Sequence, residues 1–301
     1  MIPVYNCSDL LPQALQSVLM QSPGEDCMQI EVVDDASTDA DVESIVKKLG
    51  GGRVHYFRQP QNVGSLKNFE TCINRAKGQL VHILHGDDKV RTGYYQTIGS
   101  LFKAYPQIGA AFCRYTTIDE GGNTLLDHHI EMPQPGILQN WLMKIAQKQR
   151  LQFCTITVKR DVYESLGGFY GVSYGEDWEM WVRIAAHFPV AYTPEILAEY
   201  RMHNNSISSQ SFATAQNIQD IRWVINAIQQ LIPHDIREET RKTAFRHYAH
   251  YALIIANNLW HQTQNKKVTH LQIKEALKLH TDIGMLYSAA KIYTKMLINR
   301  V

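Results

Sequence analysis

Two pairs of adjacent aspartates, Asp34–Asp35 in "VVDDASTD" and Asp87–Asp88 in "HILHGDDKV", each close an apolar, strand-like run. Neighbouring carboxylates repel, so such a pair is held by a cation or by waiting N–H donors. Two carboxylates at a strand's end can bind Mg2+ or Mn2+, hard cations that take oxygen ligands and keep water or substrate phosphates beside them. A metal so placed on a nucleoside diphosphate would neutralise the charge of a pyrophosphate leaving group. The same residues serve as caps for the turn or helix that comes next, as do Ser37, Thr38 and Asp39. Lys67, in "NVGSLKNF", stands at the start of a helical pattern, where the helix dipole adds to its charge and favours a phosphate. A solvated lysine is the plainer role. Asp177, beside Glu176 in "GEDWEMWVRIA", is placed either to take a hydroxyl proton or to cap the helix after it.

The elements that must position these residues alternate. "IEVVDDAS" (Ile30–Ser37), "VHYFRQP", "QLVHILH" and "IGAAFCRY" read as strands. Between them, "DADVESIVKKLGGG", "SLKNFETCINRAKG" and "TGYYQTIGSLFKAYP" carry a helical period, the second capped by Ser65 and stopped by Gly78. This order predicts a mostly parallel α/β sheet with its functional residues at the carboxyl ends of strands, where both acidic pairs fall. "MIPVYN" reads as the end of a buried first strand, which suggests that natural residues precede it. After residue 210 the strand signals stop. Phe245, Tyr248, Ala249, Ala252, Leu253, Ala256, Leu259 and Trp260 make an amphipathic helix, and Leu286, Ala289, Tyr293, Met296 and Leu297 another, with Lys291, Lys295 and Arg300 off that face.

The chain of 301 residues, 45% hydrophobic and 20% charged, has ordinary globular composition. A net charge of +1 gives no argument for a nucleic-acid partner. Twelve Lys and Arg against six Asp and Glu from Ser211 onward leave +6 there and −5 before it. That tail suggests a helical bundle packed on the catalytic domain or on a second copy as a homodimer, or peripheral contact with a membrane surface. Five scattered cysteines without CxxC spacing read as reduced thiols of a cytoplasmic protein, and Met1 leads into "IPVYN" without a signal-peptide pattern.

Read in order, "IPVYN", "VVDDASTD", "NVGSLKNF", "AKGQLVHILHGDD", "SLGGF", "GEDWEMWVRIA" and "YRMHNNSIS" resemble the family 2 glycosyltransferases of the bacterial cell-surface polysaccharide type, over residues 1–210. The resemblance implies a GT-A fold: a Rossmann-like, mostly parallel mixed sheet flanked by helices, with residues 211–301 as a helical C-terminal region. It implies an inverting transferase that uses Mn2+ or Mg2+ to move a sugar from a nucleotide donor, a UDP-sugar, onto a hydroxyl of a glycan or lipid-linked acceptor. Hexosyl or N-acetylhexosaminyl transfer fits that type; the alternative is a non-catalytic nucleotide-sugar-binding relative acting through its helical tail.

By the same resemblance Pro3, Tyr5, Asn6, Asp34, Asp35, Asn62, Gly64 and Lys67 bind the nucleotide. "HGDD" stands in place of the DXD motif, with Asp88 as metal ligand and Asp87 on the ribose or a metal-bound water. His85 and Gly86 stand where many relatives carry another acid or a small residue, leaving fewer acidic ligands. Asp177 becomes the catalytic base, with Glu176 beside it. Gly168, Trp178 and Arg201 fall on the acceptor and sugar side, and His203 on the metal. At least one of Trp178 and Trp181 is expected in the core, and Arg183 has the plainer role of a surface partner for Glu179 at i,i+4.

Overall fold

The structure is a computed structural model that describes residues 1–204 and 206–298; Arg300 lies outside the described residues. In chain order the elements are β1 (Ile2–Val4), α1 (Leu11–Leu19), β2 (Glu31–Asp34), α2 (Val42–Gly50), β3 (His55–Arg58), α3 (Ser65–Arg75) and β4 (Leu80–His82). Next come β5 (Lys89–Val90), α4 (Tyr94–Ala104), β6 (Ala110–Ile118), β7 (Thr124–Asp127), β8 (Gly136–Ile137), α5 (Trp141–Gln147), β9 (Ile156–Lys159) and α6 (Arg160–Leu166). The chain continues through α7 (Glu176–His187), β10 (Val190–Arg201), α8 (Ile207–Thr214), α9 (Gln216–Ala227), α10 (His234–Thr263), α11 (Lys266–Leu279) and α12 (Ile283–Leu297).

It divides into two compact units. The first comprises Met1–Trp141, Leu151–Tyr170 and His187–Met202; the second comprises Leu142–Arg150, Gly171–Ala186 and the chain from His203. This differs from a single boundary at residue 210. The chain leaves the sheet-bearing unit twice before Met202, and Glu176 and Asp177 belong to the helical unit.

In the first unit β1, β2 and β3 pair in parallel, with Val4 opposite Asp34 and Asp34 opposite Arg58. Main-chain bonds from Leu84 N–H to Met1 O (3.0 Å) and from Gly86 N–H to Pro3 O (3.1 Å) join the β4 segment to β1. Beyond β4 the order is β9, β6, β10 and β5, with β7 on β6 and β8 on β10. β9 runs antiparallel to both β4 and β6, while β6 and β10 are parallel, so the sheet is mixed. β10 breaks register between Thr193 and Ala198, pairing with β8 before the break and β5 after it. Such a bulge bends the strand and re-aims the residues beyond it. Leu11, Leu15 and Val18 of α1 pack on Ile2, Val4 and Val32 in the core beneath the sheet.

Local chemistry sets the helix ends. Asp41 caps α2 by accepting from Ser44 N–H at 3.0 Å, and Gly51, at φ +52°, closes it. α3 departs from expectation: its N-cap is Gly64 (φ +85°), not Ser65, and it ends at Ala76, before Gly78. A residue at that φ is glycine by preference, because a Cβ is strained there.

The regular elements of the second unit are all helices among its described residues. In α10 the expected stripe is buried at Tyr248, Ala249, Ala252, Leu253, Ala256 and Trp260, while Phe245 and Leu259 are only half-buried. In α12 the buried face is turned from the expected one. Met285, Ala289, Ile292 and Met296 point inward, and Leu286 and Leu297 are exposed. A helix apolar on two sides does not reveal from its period which side is covered.

Candidate active site

The first acidic pair is spent on the fold around it. Asp34, fully buried, accepts from Ser37 N–H (2.9 Å), Tyr56 O–H (2.7 Å) and Arg58 Nη1 (2.6 Å). Asp35 takes Val63 N–H on one oxygen (2.7 Å) and Gly64 N–H on the other (3.0 Å), and Asn62 reaches its carbonyl. Burial pushes the Asp35 carboxyl up, against the pull of those two amides. The pair thus ties the ends of β1 and β2 to the loop before α3. Asn6 (φ +49°) joins the same web, accepting from Thr38 N–H at 2.8 Å and donating its own N–H to Ser37 Oγ at 3.0 Å. Pro3 is buried in β1; Tyr5 is half exposed, and Lys67 is exposed in the first turn of α3.

The second pair is different. One ligand atom from each of His85, Asp87 and Asp88 lies within 4.8 Å of the others. The His85 ring stacks on Phe69 (centroids 5.1 Å apart) and leans on Phe153, and its Nε2 is buried with no hydrogen-bond partner. Burial keeps the imidazole neutral, the form that binds metals. Asp88 is buried, its Oδ1 accepting Arg201 N–H at 2.8 Å. Burial and then the charge of Asp87 push its carboxyl well up. An imidazole with two carboxylates suits Mn2+, which accepts both nitrogen and oxygen donors. These residues fit the divalent ion the resemblance implies.

Gly86 has a steric reason. A Cβ there would stand 2.9 Å from Cys7 Sγ and 3.0 Å from Val4 Cγ2. A third carboxylate at this position would crowd both side chains, and His85 stands beside the two aspartates instead. His203, expected as a metal ligand, lies in the second unit and is not a member of this group among the described residues.

Arg201 is not on a sugar-binding surface. Its buried guanidinium donates from Nε to Asp87 O (2.8 Å), from Nη1 to Asp119 O (3.0 Å) and Glu120 O (2.8 Å), and from Nη2 to Gln13 Oε1 (2.9 Å). Every nitrogen is engaged, so the side chain pins the acidic loop. Trp178 also departs from expectation. It is wholly buried, lies against Tyr248 and donates Nε1 to Ile145 O at 2.6 Å, so it offers no face to a sugar. Arg183 pairs with Glu179 at 2.8 Å, as the spacing predicts. Gly167 turns at φ +81° and Gly168 comes directly after it in the first unit.

In the second unit Glu176 and Asp177 open α7 after Gly175, whose φ is +92°. Asp177 does not cap the helix in the usual way. One oxygen accepts Trp178 N–H at 2.7 Å and the other accepts the Gln149 side-chain amide. Gln149 is itself held by a bond from its N–H to Tyr248 O–H at 3.0 Å. Burial raises the Asp177 carboxyl to about 7, the two donors opposing it. Burial, then Asp177, push Glu176 well up as well. A carboxylate whose conjugate acid titrates near neutrality is a stronger proton acceptor than an ordinary aspartate. Arg58, Tyr56 and Gln149 went unread in the sequence. Arg58 had a signal, as a basic residue ending the strand beside β2.

A parallel run of β3, β2, β1 and β4, with His85, Asp87 and Asp88 gathered just past β4, is the arrangement of a GT-A glycosyltransferase fold. The glycosyl transferase family 2 profile matches residues 1–167, and the chain belongs to that family. An uncharacterized protein of Mycobacterium tuberculosis is 26% identical over 260 residues, covering 78% of this chain and 77% of that protein. TuaG of Bacillus subtilis, named as a glycosyltransferase of teichuronic acid biosynthesis, is 28% identical over 71% of this chain and 82% of its own. Among solved structures, S. aureus TarS 1–349 in complex with UDP-GlcNAc superposes with a TM-score of 0.64 at 11% identity, covering 99% of this chain and 91% of that one. A mannosyltransferase of Pyrobaculum calidifontis, in complex with GDP-Man and Mn2+, gives 0.56 at 17% identity, covering 100% and 86%. Those two likenesses are of fold.

Proposed function

We propose that the protein is a divalent-metal-dependent, inverting glycosyltransferase that takes a UDP-sugar as donor and a hydroxyl of a glycan or lipid-linked acceptor. The grouping of His85, Asp87 and Asp88 past β4 is the observation that carries metal dependence. UDP-GlcNAc in the TarS complex, and GDP-Man with Mn2+ in the mannosyltransferase, support a nucleotide-sugar donor. The name of TuaG supports a cell-surface polysaccharide acceptor.

His85, Asp87 and Asp88 would hold Mn2+ or Mg2+, which when bound stabilises the charge of the diphosphate leaving group. Tyr5 and Asn6 face the nucleoside, on a floor shaped by Pro3, Asp34, Asp35, Asn62 and Gly64; Lys67 at the start of α3 attracts the diphosphate. Asp177 removes the acceptor hydroxyl proton as the oxygen bonds to the anomeric carbon. The sugar–phosphate C–O bond breaks, and its electron pair leaves with the nucleoside diphosphate. Glu176, its carboxyl pushed well up by burial and then by Asp177, keeps its proton beside the base and leaves the negative charge to Asp177.

Calorimetry of UDP and GDP with and without Mn2+ tests the donor side, and turnover of UDP-sugars by an Asp177→Asn variant tests the base. Mn2+-dependent UDP binding that survives the substitution while turnover vanishes supports the reading. UDP binding indifferent to Mn2+ removes the metal, and unchanged turnover removes Asp177. Binding without turnover in the unaltered chain, across UDP-sugars and acceptors, would favour the non-catalytic alternative.

A further inference from the structure

α12 carries a second apolar face opposite the one buried in the helical unit. It shows Ile283, Leu286 and Tyr287 in its first turns and Leu297, then Ile298, at its end, with Ala290, Lys291 and Thr294 between them on the same side; Ile283 and Leu297 are 87% and 80% exposed. The helix lies alongside α10. Asp282 meets Arg246 at 3.8 Å and His250 at 3.5 Å, and Lys295 Nζ meets Asn257 and His261 at 2.9 Å. Ile254 falls on that same line of α10, one turn after His250, and is 57% exposed. The apolar stripe therefore extends across two helices, a pattern that marks an interaction surface more than scattered exposure does.

Charge distinguishes the possible occupants. α11 and α12 together hold six lysines and one acid, Glu275, which is buried and bonded to Lys278 at 2.6 Å. Lys291 stands over the Tyr287 ring at 4.2 Å, and the Arg246 side chain is 67% exposed. Asp282, at the start of α12, already faces Arg246, His250 and His280. A twofold-related copy would set these cations against their own images. An anionic surface would meet them with opposite charge. A face with apolar side chains flanked by basic ones is the composition of a helix lying in a bilayer interface. No helix among the described residues is long and apolar enough to cross a membrane.

We propose that this face docks onto an anionic lipid bilayer, with Ile283, Leu286, Tyr287 and Leu297 entering the acyl boundary and Lys291 and Arg246 meeting headgroup phosphates. Attraction to anionic headgroups adds to apolar burial and weakens as salt screens it.

Flotation of the full chain with phosphatidylcholine vesicles, with and without phosphatidylglycerol, tests this. Binding should require the anionic lipid and fall at high salt. The Leu286→Ser/Tyr287→Ser double variant and, separately, Lys291→Glu should each weaken it by about tenfold or more. The three positions are exposed; should the double variant lose its cooperative melt, Lys291→Glu decides alone. No binding to anionic vesicles, or variants that bind like the parent, overturns the proposal. So does a dimer in sedimentation velocity that the double variant dissociates, which would assign the face to a second copy. UDP binding by the same variants stays at the parental level, so loss of docking is distinguishable from failure of the transferase reading.

Discussion

Asp177→Asn should help stability at alkaline pH relative to its effect at acid pH, because the native fold holds this carboxyl's proton far more tightly than an unfolded chain does. Burial moves the group from 3.8 to about 7. Below the unfolded value both states are protonated and the tight proton contributes fully. As pH rises from there the unfolded chain loses its proton first, and stability falls until the native group also titrates near 7. Integrated over the whole interval the loss is about 4 kcal/mol, and between about pH 5 and about pH 8.5 it is about 3 kcal/mol. Asparagine does not titrate. Any cost of repacking its amide against Gln149 and the Trp178 N–H is the same at both pH values, so it cancels in the difference. Urea unfolding of parent and variant at the two pH values measures that difference. The variant should gain about 3 kcal/mol on the parent in going from the acid to the alkaline buffer. A difference within about 0.5 kcal/mol of zero, in a two-state transition, refutes the buried, high-pKa carboxyl and with it the physical case for a neutral-pH base.

Three further outcomes rest on named contacts. Gly86→Asp should cost about 1–3 kcal/mol in thermal stability, since its Cβ overlaps Cys7 and Val4, and should not tighten Mn2+ in calorimetry. His85→Ala should weaken Mn2+ binding by about tenfold or more while leaving a cooperative melt, because the proposed ligand ring is seated on Phe69 and Phe153. Arg58→Ala should cost about 1–3 kcal/mol in urea unfolding by stripping a fully buried Asp34 of its cation, with Tyr56 and Ser37 still bound to it.

The alternation of strands and helices through residue 118 was legible because β-branched runs and amphipathic periods each announce themselves locally. Both acidic pairs were found at carboxyl ends of strands for the same reason. What escaped were facts of pairing. β9 slots antiparallel between β4 and β6, and nothing in "ITVK" states which neighbours it will have. Asp34 and Asp35 looked alike with Asp87 and Asp88. Only the fold shows the first pair answered by Arg58, Tyr56 and the amides of residues 63 and 64, and the second gathered with an imidazole. Arg201 and Trp178 were legible as motif residues but not as buried ones, since a motif carries no record of its solvent exposure. Glu176 and Asp177 read as the end of a sheet domain. Packing of Trp178 on Tyr248 and Ile145 gives them to the helices.

The Arg201 guanidinium ties α1, the acidic loop and the turn between β6 and β7 to the last residue of β10 through bonds that all end on one side chain. Such a hub couples local opening: the loop bearing Asp87 shares one anchoring side chain with Asp119, Glu120 and Gln13. Amide hydrogens at Arg201 and Gly86 should then exchange with solvent at one common, slow rate, as members of a single cooperative foldon. Lysine, with one nitrogen in place of three, would divide that foldon into independently fraying pieces.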